Sequence, residues 1–201
     1  MAYASWANPN KTSGSGNDTV NWGASEHTGR LLRTTHATFK ADGVNDVDLE
    51  INQTGKTEFV DIAASAAVQK TGGTITITGT SNSKKLTFSL SNNGINLPAV
   101  TTYIAASQSA TSGSDISGDP GATQQYTFSV TFADIPANTA AAAKTSQLTV
   151  TTDNGTTDSC TITQAAADPT LSISPATITI PAAGTPAQSV AVTSNTNWTV
   201  V

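Results

Sequence analysis

Strict alternation of apolar and hydroxyl-bearing side chains is the feature that most limits how this chain can fold. From Tyr126 to Phe132 every second residue is aromatic or aliphatic, and the residues between them are Thr or Ser. Neighbouring side chains of a β-strand point to opposite faces, so this period of two predicts a strand with one buried face. The chain holds 36 Thr but only 8 Leu, and β-branched residues suit strands better than helices. The sequence therefore predicts an all-β fold and excludes an all-α one.

The same pattern predicts further strands and a core. Thr74–Thr78 alternates around two isoleucines, and Leu148 and Val150 alternate with Thr before Asp153-Asn154-Gly155. An Asn-Gly pair tolerates positive φ, so we expect a β-hairpin that returns through Cys160 and Ile162. The polar stretch from Ser107 to Gly121 is predicted as a long loop. Four residues are assigned to the core of the β-units: Ile77, Phe128, Leu148 and Trp198.

The N-terminal segment differs from the rest in charge and pattern. Residues 1–40 carry four basic and two acidic side chains, whereas the remainder carries five basic and twelve acidic ones. Little in this segment alternates, so we expect residues 1–45 to form an extended arm that is ordered mainly against a partner. We expect a β-sandwich over residues 46–166.

An internal repeat indicates a second β-unit. Thr80-Ser81-Asn82-Ser83 follows an alternating strand, and Thr193-Ser194-Asn195-Thr196 follows a similar one. Two copies of one unit in tandem explain this match. The second copy, residues 168–201, is shorter than the roughly 40 residues that an independent domain usually needs. We therefore expect either a longer chain or completion of this unit by a partner.

The arm carries the candidate docking residues. Its large aromatic side chains have no predicted core to enter, and such residues commonly anchor interfaces. An apolar pair also lies between two guanidinium groups, which suits an acidic and partly apolar groove. These candidates are Tyr3, Trp6, Trp22, Arg30, Leu31, Leu32 and Arg33.

Several other functions find no support in the residues. A net charge of −5 and a pI near 4.7 argue against nucleic acid as a ligand, and no apolar run is long enough to span a membrane. No catalytic or metal-binding motif occurs, so we expect no enzymatic activity and no cofactor. Asp46, Asp48 and Glu50 lie on one side of an extended segment. They are either Ca²⁺ ligands or, the favoured interpretation, the solvated face of a strand.

Both β-units resemble a known family. Leu171-Ser-Ile-Ser-Pro175 and Asn197-Trp198-Thr-Val200 resemble the opening of BACON domains, which are immunoglobulin-like β-sandwiches common in Bacteroidetes proteins and their phages. Cys160-Thr-Ile-Thr-Gln164 resembles the closing strands of that family, and the resemblance covers about residues 46–201. The first unit departs from the family pattern because it has Leu86 where a Trp is usual. The resemblance implies an Ig-like, BACON-like sandwich preceded by the arm, with a second such domain begun at the C-terminus.

With the arm and without an export signal, the chain is similar to virion proteins of crAss-like Bacteroidetes phages. This resemblance implies a head fibre or decoration protein on the capsid exterior, assembled in the host cytoplasm. Its expected partners are the major capsid protein or other virion proteins, and we expect a homo-oligomer, foremost a trimer. One alternative is a carbohydrate-binding module that holds glycans on exposed aromatic residues such as Trp198. Another is a bacterial adhesin or pilin-like subunit that completes its unfinished sandwich by strand donation.

Overall fold

Strands form all the regular secondary structure of the described residues. The structure, a computed structural model, describes residues 3–92, 94–184 and 187–201 and contains no helix within them. The all-β prediction is confirmed. In chain order the strands are β1 (Ala7–Pro9), β2 (Trp22–Ala24), β3 (Arg33–Phe39), β4 (Val47–Gln53), β5 (Val60–Ile62), β6 (Ser65–Val68), β7 (Gly73–Ser81), β8 (Leu86–Ser91), β9 (Thr102–Ala105), β10 (Gln108–Thr111), β11 (Tyr126–Ile135), β12 (Lys144–Thr152), β13 (Thr157–Gln164), β14 (Leu171–Ser174) and β15 (Ala191–Ser194).

Two sheets face each other and form a β-sandwich. One has the strand order β10-β9-β11-β7-β5, and the other has the order β6-β13-β12-β8. All pairings are antiparallel except that of β6 with β13, which is parallel. Because the inward residues of both sheets are apolar and the outward ones are mostly Thr and Ser, the alternation in the sequence corresponds to a core between the sheets.

The core is closely packed around aromatic rings. Ile77 and Phe128 are 2% exposed and Leu148 is fully buried, so these three assignments agree with the structure. Phe128 lies opposite Gly79 in the pairing of β11 with β7. A Cβ atom at residue 79 would lie 2.5 Å from the Phe128 ring, so this strand position requires glycine.

Local predictions differ in their outcome. The hairpin of β12 and β13 is confirmed, with Leu148 opposite Cys160 and with Gly155 at a φ of 90° in the turn. The predicted loop between Ser107 and Gly121 contains a short strand, β10, at the edge of the five-stranded sheet. Three of its four residues are polar and only Ala110 is buried in the core, because an edge strand is open to solvent on one side.

The N-terminal segment contains more structure than the sequence predicted. β1 pairs with β2, and β3 pairs with β4 in a separate two-stranded sheet. β4 lies within the predicted sandwich range of residues 46–166, yet the first sandwich strand is β5, at Val60. The arm therefore extends to about residue 56, and backbone pairing within this chain orders it, in contrast to the predicted ordering by a partner.

Asn82 connects the start of the sandwich to β7. The hydroxyl of Ser81 donates to the carbonyl of Phe59 at 2.7 Å, and the amide of Phe59 donates to Asn82 Oδ1 at 3.0 Å. The side-chain amide of Asn82 donates to the carbonyls of Thr28 and Lys56, both at 3.3 Å. This buried side chain therefore holds three parts of the chain together.

The C-terminal hairpin repeats this arrangement. The hydroxyl of Ser194 donates to the carbonyl of Thr170 at 2.7 Å, and the amide of Thr170 donates to Asn195 Oδ1 at 2.8 Å. The side-chain amide of Asn195 donates to the carbonyls of Asp168 and Thr139, at 2.9 and 3.3 Å. Since β14 pairs with β15 as β5 pairs with β7, residues 168–196 have the structure of an opening segment of the sandwich.

The assignment of Trp198 to the core is wrong for this structure. Its side chain is 48% exposed, and Leu171 and Ile173 of β14 are also exposed. The reason is that β14 and β15 form a two-stranded sheet with no second sheet packed on it within the described residues. A tryptophan that follows such a hairpin has no opposite layer to enter.

Candidate docking surface

The aromatic residues of the N-terminal segment lie beside a ribbon of two short strands. β1 and β2 pair antiparallel, with Pro9 opposite Trp22. Tyr3 contacts the Trp22 ring edge to face, with ring centroids 5.2 Å apart. Tyr3, Trp6 and Trp22 are all half-buried, which leaves part of each ring open to a partner.

A groove of about 510 Å³ lies between the ribbon, the loop that joins β1 to β2, and β3. Tyr3, Trp22 and Phe39 contribute aromatic walls, and Lys11 and Asp18 contribute charge. Lys11 Nζ lies 2.5 Å from Asp18 Oδ1, and this bond lowers the pKa of the exposed Asp18 carboxyl. The groove therefore combines apolar faces with an ion pair at its rim, as protein-binding sites commonly do.

Arg33 is bound within the chain. Its guanidinium carbon lies 4.6 Å from the centre of the Trp6 ring, a cation–π contact. Its Nε donates to Gln53 Oε1 at 2.8 Å, and one terminal nitrogen donates to the carbonyl of Ser25 at 2.9 Å. The predicted docking role of Arg33 needs free donors, but these donors already connect β3, β4 and the ribbon.

Arg30 also forms an ion pair within the chain, with Asp119. Its two terminal nitrogens donate to the two carboxylate oxygens of Asp119, one of them at 2.6 Å, and its side chain is 15% exposed. The hydrogen bonds that Arg30 donates to Asp119 raise the pKa of Arg30 above its ordinary value. This corrects the prediction of an exposed docking arginine: the residue fastens the N-terminal segment to a loop of the sandwich.

The backbone around Arg30 is held as firmly as its side chain. The amides of Arg30 and Leu31 donate to the carbonyls of Gly121 and Ala122, both at 3.0 Å. A Cβ atom at Gly55 would lie 2.0 Å from the carbonyl oxygen of Arg30, so the chain passes here with no room for a side chain. The segment that carries the docking candidates is therefore fixed on one end of the sandwich.

Leu31 and Leu32 remain exposed on this fixed segment. They are 52% and 58% exposed, although their neighbours on both sides are bonded internally. We refer to this pair as the leucine patch. The structure thus separates the seven predicted docking residues into the exposed leucine patch, three half-buried aromatic residues and two arginines that act as internal connectors.

Sequence reasoning missed Asn82 and Asp119, which hold the segment in place. Asn82 belongs to the repeated Thr-Ser-Asn motif, so the repeat itself was the available signal. Asp119 gave no signal, because its partner Arg30 lies 89 positions earlier in the chain. His27 was also missed; it is buried, with its Nε2 atom 2.7 Å from the carbonyl of Leu31.

No family model matches this chain, and the comparison with curated proteins finds no match either. The described residues contain no cluster of three or more His, Cys, Asp or Glu side chains that could hold a metal ion. A helix long and apolar enough to cross a membrane is not found among them either.

The acidic series that begins just before β4 and continues along it is engaged in contacts within the chain. Each carboxylate has a partner on a neighbouring residue: Lys40 for Asp46 at 2.5 Å, Thr38 for Asp48 at 2.6 Å and Asn52 for Glu50 at 2.6 Å. All three acidic residues are exposed. This arrangement agrees with the solvated strand face rather than with a Ca²⁺ site.

Proposed function

We propose that this chain is a non-enzymatic structural virion protein that attaches to the outside of a phage capsid through its N-terminal region. The observation that carries the proposal is the leucine patch, which is exposed although the backbone beneath it is fixed to the sandwich. An apolar patch that is already ordered loses little conformational entropy on binding. Such a patch suits a permanent structural contact.

The rest of the molecule supports a projecting role. The N-terminal segment is bonded to Asn82 at one end of the sandwich and the C-terminal hairpin to Thr139 at the other, so attachment through the first leaves the second directed outward. We propose that the units are Ig-like and BACON-like, as in head fibres or decoration proteins on the capsid exterior. The partners are then the major capsid protein or other virion proteins, and bound at the symmetric sites of the shell the chain is expected to form a homo-oligomer such as a trimer.

A capsid co-sedimentation experiment tests the attachment. Capsid shells of the phage that encodes the chain are mixed with wild-type protein or with Leu31→Asp/Leu32→Asp. Burial of one leucine stabilises by about 1.5–3 kcal/mol, so we expect the double variant to bind at least about 100-fold more weakly. Ile104→Asp is the matched control, because Ile104 is 46% exposed on β9 of the sandwich. Equal binding of all three proteins would contradict the proposal.

A second candidate function rests on Trp198. An exposed tryptophan is the usual platform for stacking against a sugar ring, and Trp198 is 48% exposed. In this alternative the chain is a carbohydrate-binding surface module. Calorimetric titration with neutral oligosaccharides would then give a binding signal for the wild type that Trp198→Ala loses. The absence of a signal from the wild type would reject this candidate.

A further inference from the structure

The sheet of β3 and β4 repeats the closing hairpin of the sandwich. In the first, Arg33 pairs with Gln53, and in the second Lys144 pairs with Gln164. Both members of the pair are shifted by 111 positions, and the register is the same along the rest of β3 and β4. The two hairpins therefore have the same place in two successive units.

Hydrogen bonds around these hairpins repeat at the same spacing. The side-chain amide of Gln53 donates to the carbonyl of Ser25 at 2.9 Å, and that of Gln164 donates to the carbonyl of Pro136 at 2.7 Å. A backbone bond also recurs, from Lys56 N to Gly29 O at 2.8 Å and from Ala167 N to Ala140 O at 2.9 Å. The segment from about residue 22 to residue 56 is thus the closing part of a sandwich unit.

This N-terminal sheet lacks the cover that its counterpart has. In the sandwich the inward residues of the hairpin, among them Val150 and Cys160, are fully buried. Their counterparts in the N-terminal sheet are Phe39 and Leu49, which are 44% and 36% exposed. β5 packs over β12 and β13, whereas within the described residues no such strand lies over this part of β3 and β4.

One edge of β4 is free as well. In the sandwich, β6 pairs in parallel with β13 from Thr161 to Gln164, and the amides of Thr161 and Ala165 donate to the segment that contains β6, both at 3.0 Å. The counterpart stretch of β4 is residues 50–53. In the described part of the chain only β3 pairs with β4, so the edge that corresponds to the β6 side has no strand. An unpaired edge of this kind can accept another strand.

The C-terminal hairpin has the complementary strand. Thr177-Ile178-Thr179-Ile180 follows β14, as β6 follows β5, and it alternates in the pattern of a strand. It belongs to no sheet in the structure, and its two isoleucines are 39% and 58% exposed. One end of the molecule thus has an opening segment with an unused strand, and the other has a closing segment with an unused edge.

These two segments lie at opposite ends of the same sandwich. Asn82 contacts the N-terminal segment and directly follows the last residue of β7. Thr139 contacts the C-terminal hairpin and lies shortly after Ile135, the residue that pairs with the first residue of β7. A strand of this length separates its ends by about 25 Å. The strand and the edge of one molecule are therefore directed away from each other, and a second copy is the fitting partner.

We propose that residues 177–180 of one copy pair in parallel with β4 of a second copy, with β14 packed over Phe39 and Leu49. The contact is heterologous, so it joins copies head to tail and continues along a fibre. It uses different residues from the leucine patch and does not depend on attachment to a capsid. Residues 169–201 carry no charged side chain, so no ion pair crosses the contact and its strength should depend little on salt.

Sedimentation velocity with one donor and one acceptor variant tests this proposal. Ile178→Lys/Ile180→Lys alters the donor strand. Asn52→Pro alters the acceptor, because Asn52 corresponds to Thr163, between the two residues whose amides donate to the β6 segment. Wild-type protein is expected to sediment as a series of species above 20.4 kDa at concentrations up to about 1 mM. Each variant alone is expected to remain a monomer, and their equimolar mixture to form dimers and nothing larger.

Two controls keep the result open to refutation. Ile104→Lys places a lysine at an exposed isoleucine outside both segments and is expected to associate like the wild type. Thr54→Pro is a second acceptor variant, which removes the amide corresponding to that of Ala165 without entering the pairing of β3 with β4. A wild type that stays monomeric at the highest concentration, or a mixture of variants that does not dimerise, would overturn the proposal.

Discussion

Truncation of Asn82 should destabilise the chain far more than the same change at Asn195. Both side chains accept one backbone amide and donate to backbone carbonyls, three for Asn82 and two for Asn195, but Asn82 is fully buried and Asn195 is bonded at the surface. In Asn82→Ala the amide of Phe59 loses its acceptor at 3.0 Å, and three carbonyls lose longer bonds of 3.3–3.4 Å. A buried donor without a partner costs about 1–3 kcal/mol, and the long bonds together contribute about 1 kcal/mol.

We therefore expect the free energy of unfolding to fall by about 3 kcal/mol in Asn82→Ala, and the Tm by about 6–12 °C. In Asn195→Ala water replaces the lost bonds, so the expected change is below about 1 kcal/mol. Urea unfolding followed by far-UV circular dichroism measures both variants against the wild type. Equal losses in the two variants, or a loss below about 1 kcal/mol for Asn82→Ala, would refute the assignment of Asn82 as a buried connector.

Three further predictions follow from the sandwich. Gly79→Ala places a Cβ atom 2.5 Å from the Phe128 ring and should lower the free energy of unfolding by about 3 kcal/mol in the same urea titration. In the control Gly23→Ala the added Cβ atom lies 3.7 Å from its nearest neighbour, so the free energy of unfolding should change little. The ammonium of Lys85 lowers the pKa of Asp153. This ion pair therefore stabilises the fold above about pH 4, and its contribution is lost as the pH falls through the folded-state pKa of Asp153. The difference in Tm between the wild type and Lys85→Met should accordingly vanish in acid. Burial raises the pKa of the Cys160 thiol, so a thiol reagent should label it only as fast as the hairpin opens, and rapid labelling of folded protein would contradict this.

The sequence predicts the sandwich well where side chains alternate between two environments. β7, β11 and the hairpin of β12 and β13 each have one apolar and one hydroxylic face, so their period of two is visible in the residues. β10 was predicted as loop because an edge strand of Gln, Ser, Ala and Thr needs no apolar face.

Within the N-terminal sheet, β3 was missed for a similar reason, whereas the acidic residues along β4 were already interpreted as the solvated face of a strand. β3 shares only Thr34 and Thr38 with the corresponding residues of β12 and carries Ala37 where β12 carries Leu148, so its sequence alone does not reveal the repeat. Shared backbone register reveals it, and register exists only in the folded chain. The docking arginines illustrate the same limit, because a guanidinium group that is free in a sequence can be bound by a residue far away, as Arg30 is by Asp119.

The asparagine junctions also decide how stiff an array of such units is. Each Asn reaches back from its own unit to a carbonyl of the preceding segment, Thr28 for Asn82 and Thr139 for Asn195. A joint of this kind resists bending, because rotation of one unit against the next must stretch hydrogen bonds in addition to turning a linker. The joint before the sandwich is buried and reinforced by Arg30, whereas the joint after it is open to water. Bending motions should therefore concentrate at the C-terminal joint, and small-angle X-ray scattering would record a rigid base with a hinged outer part.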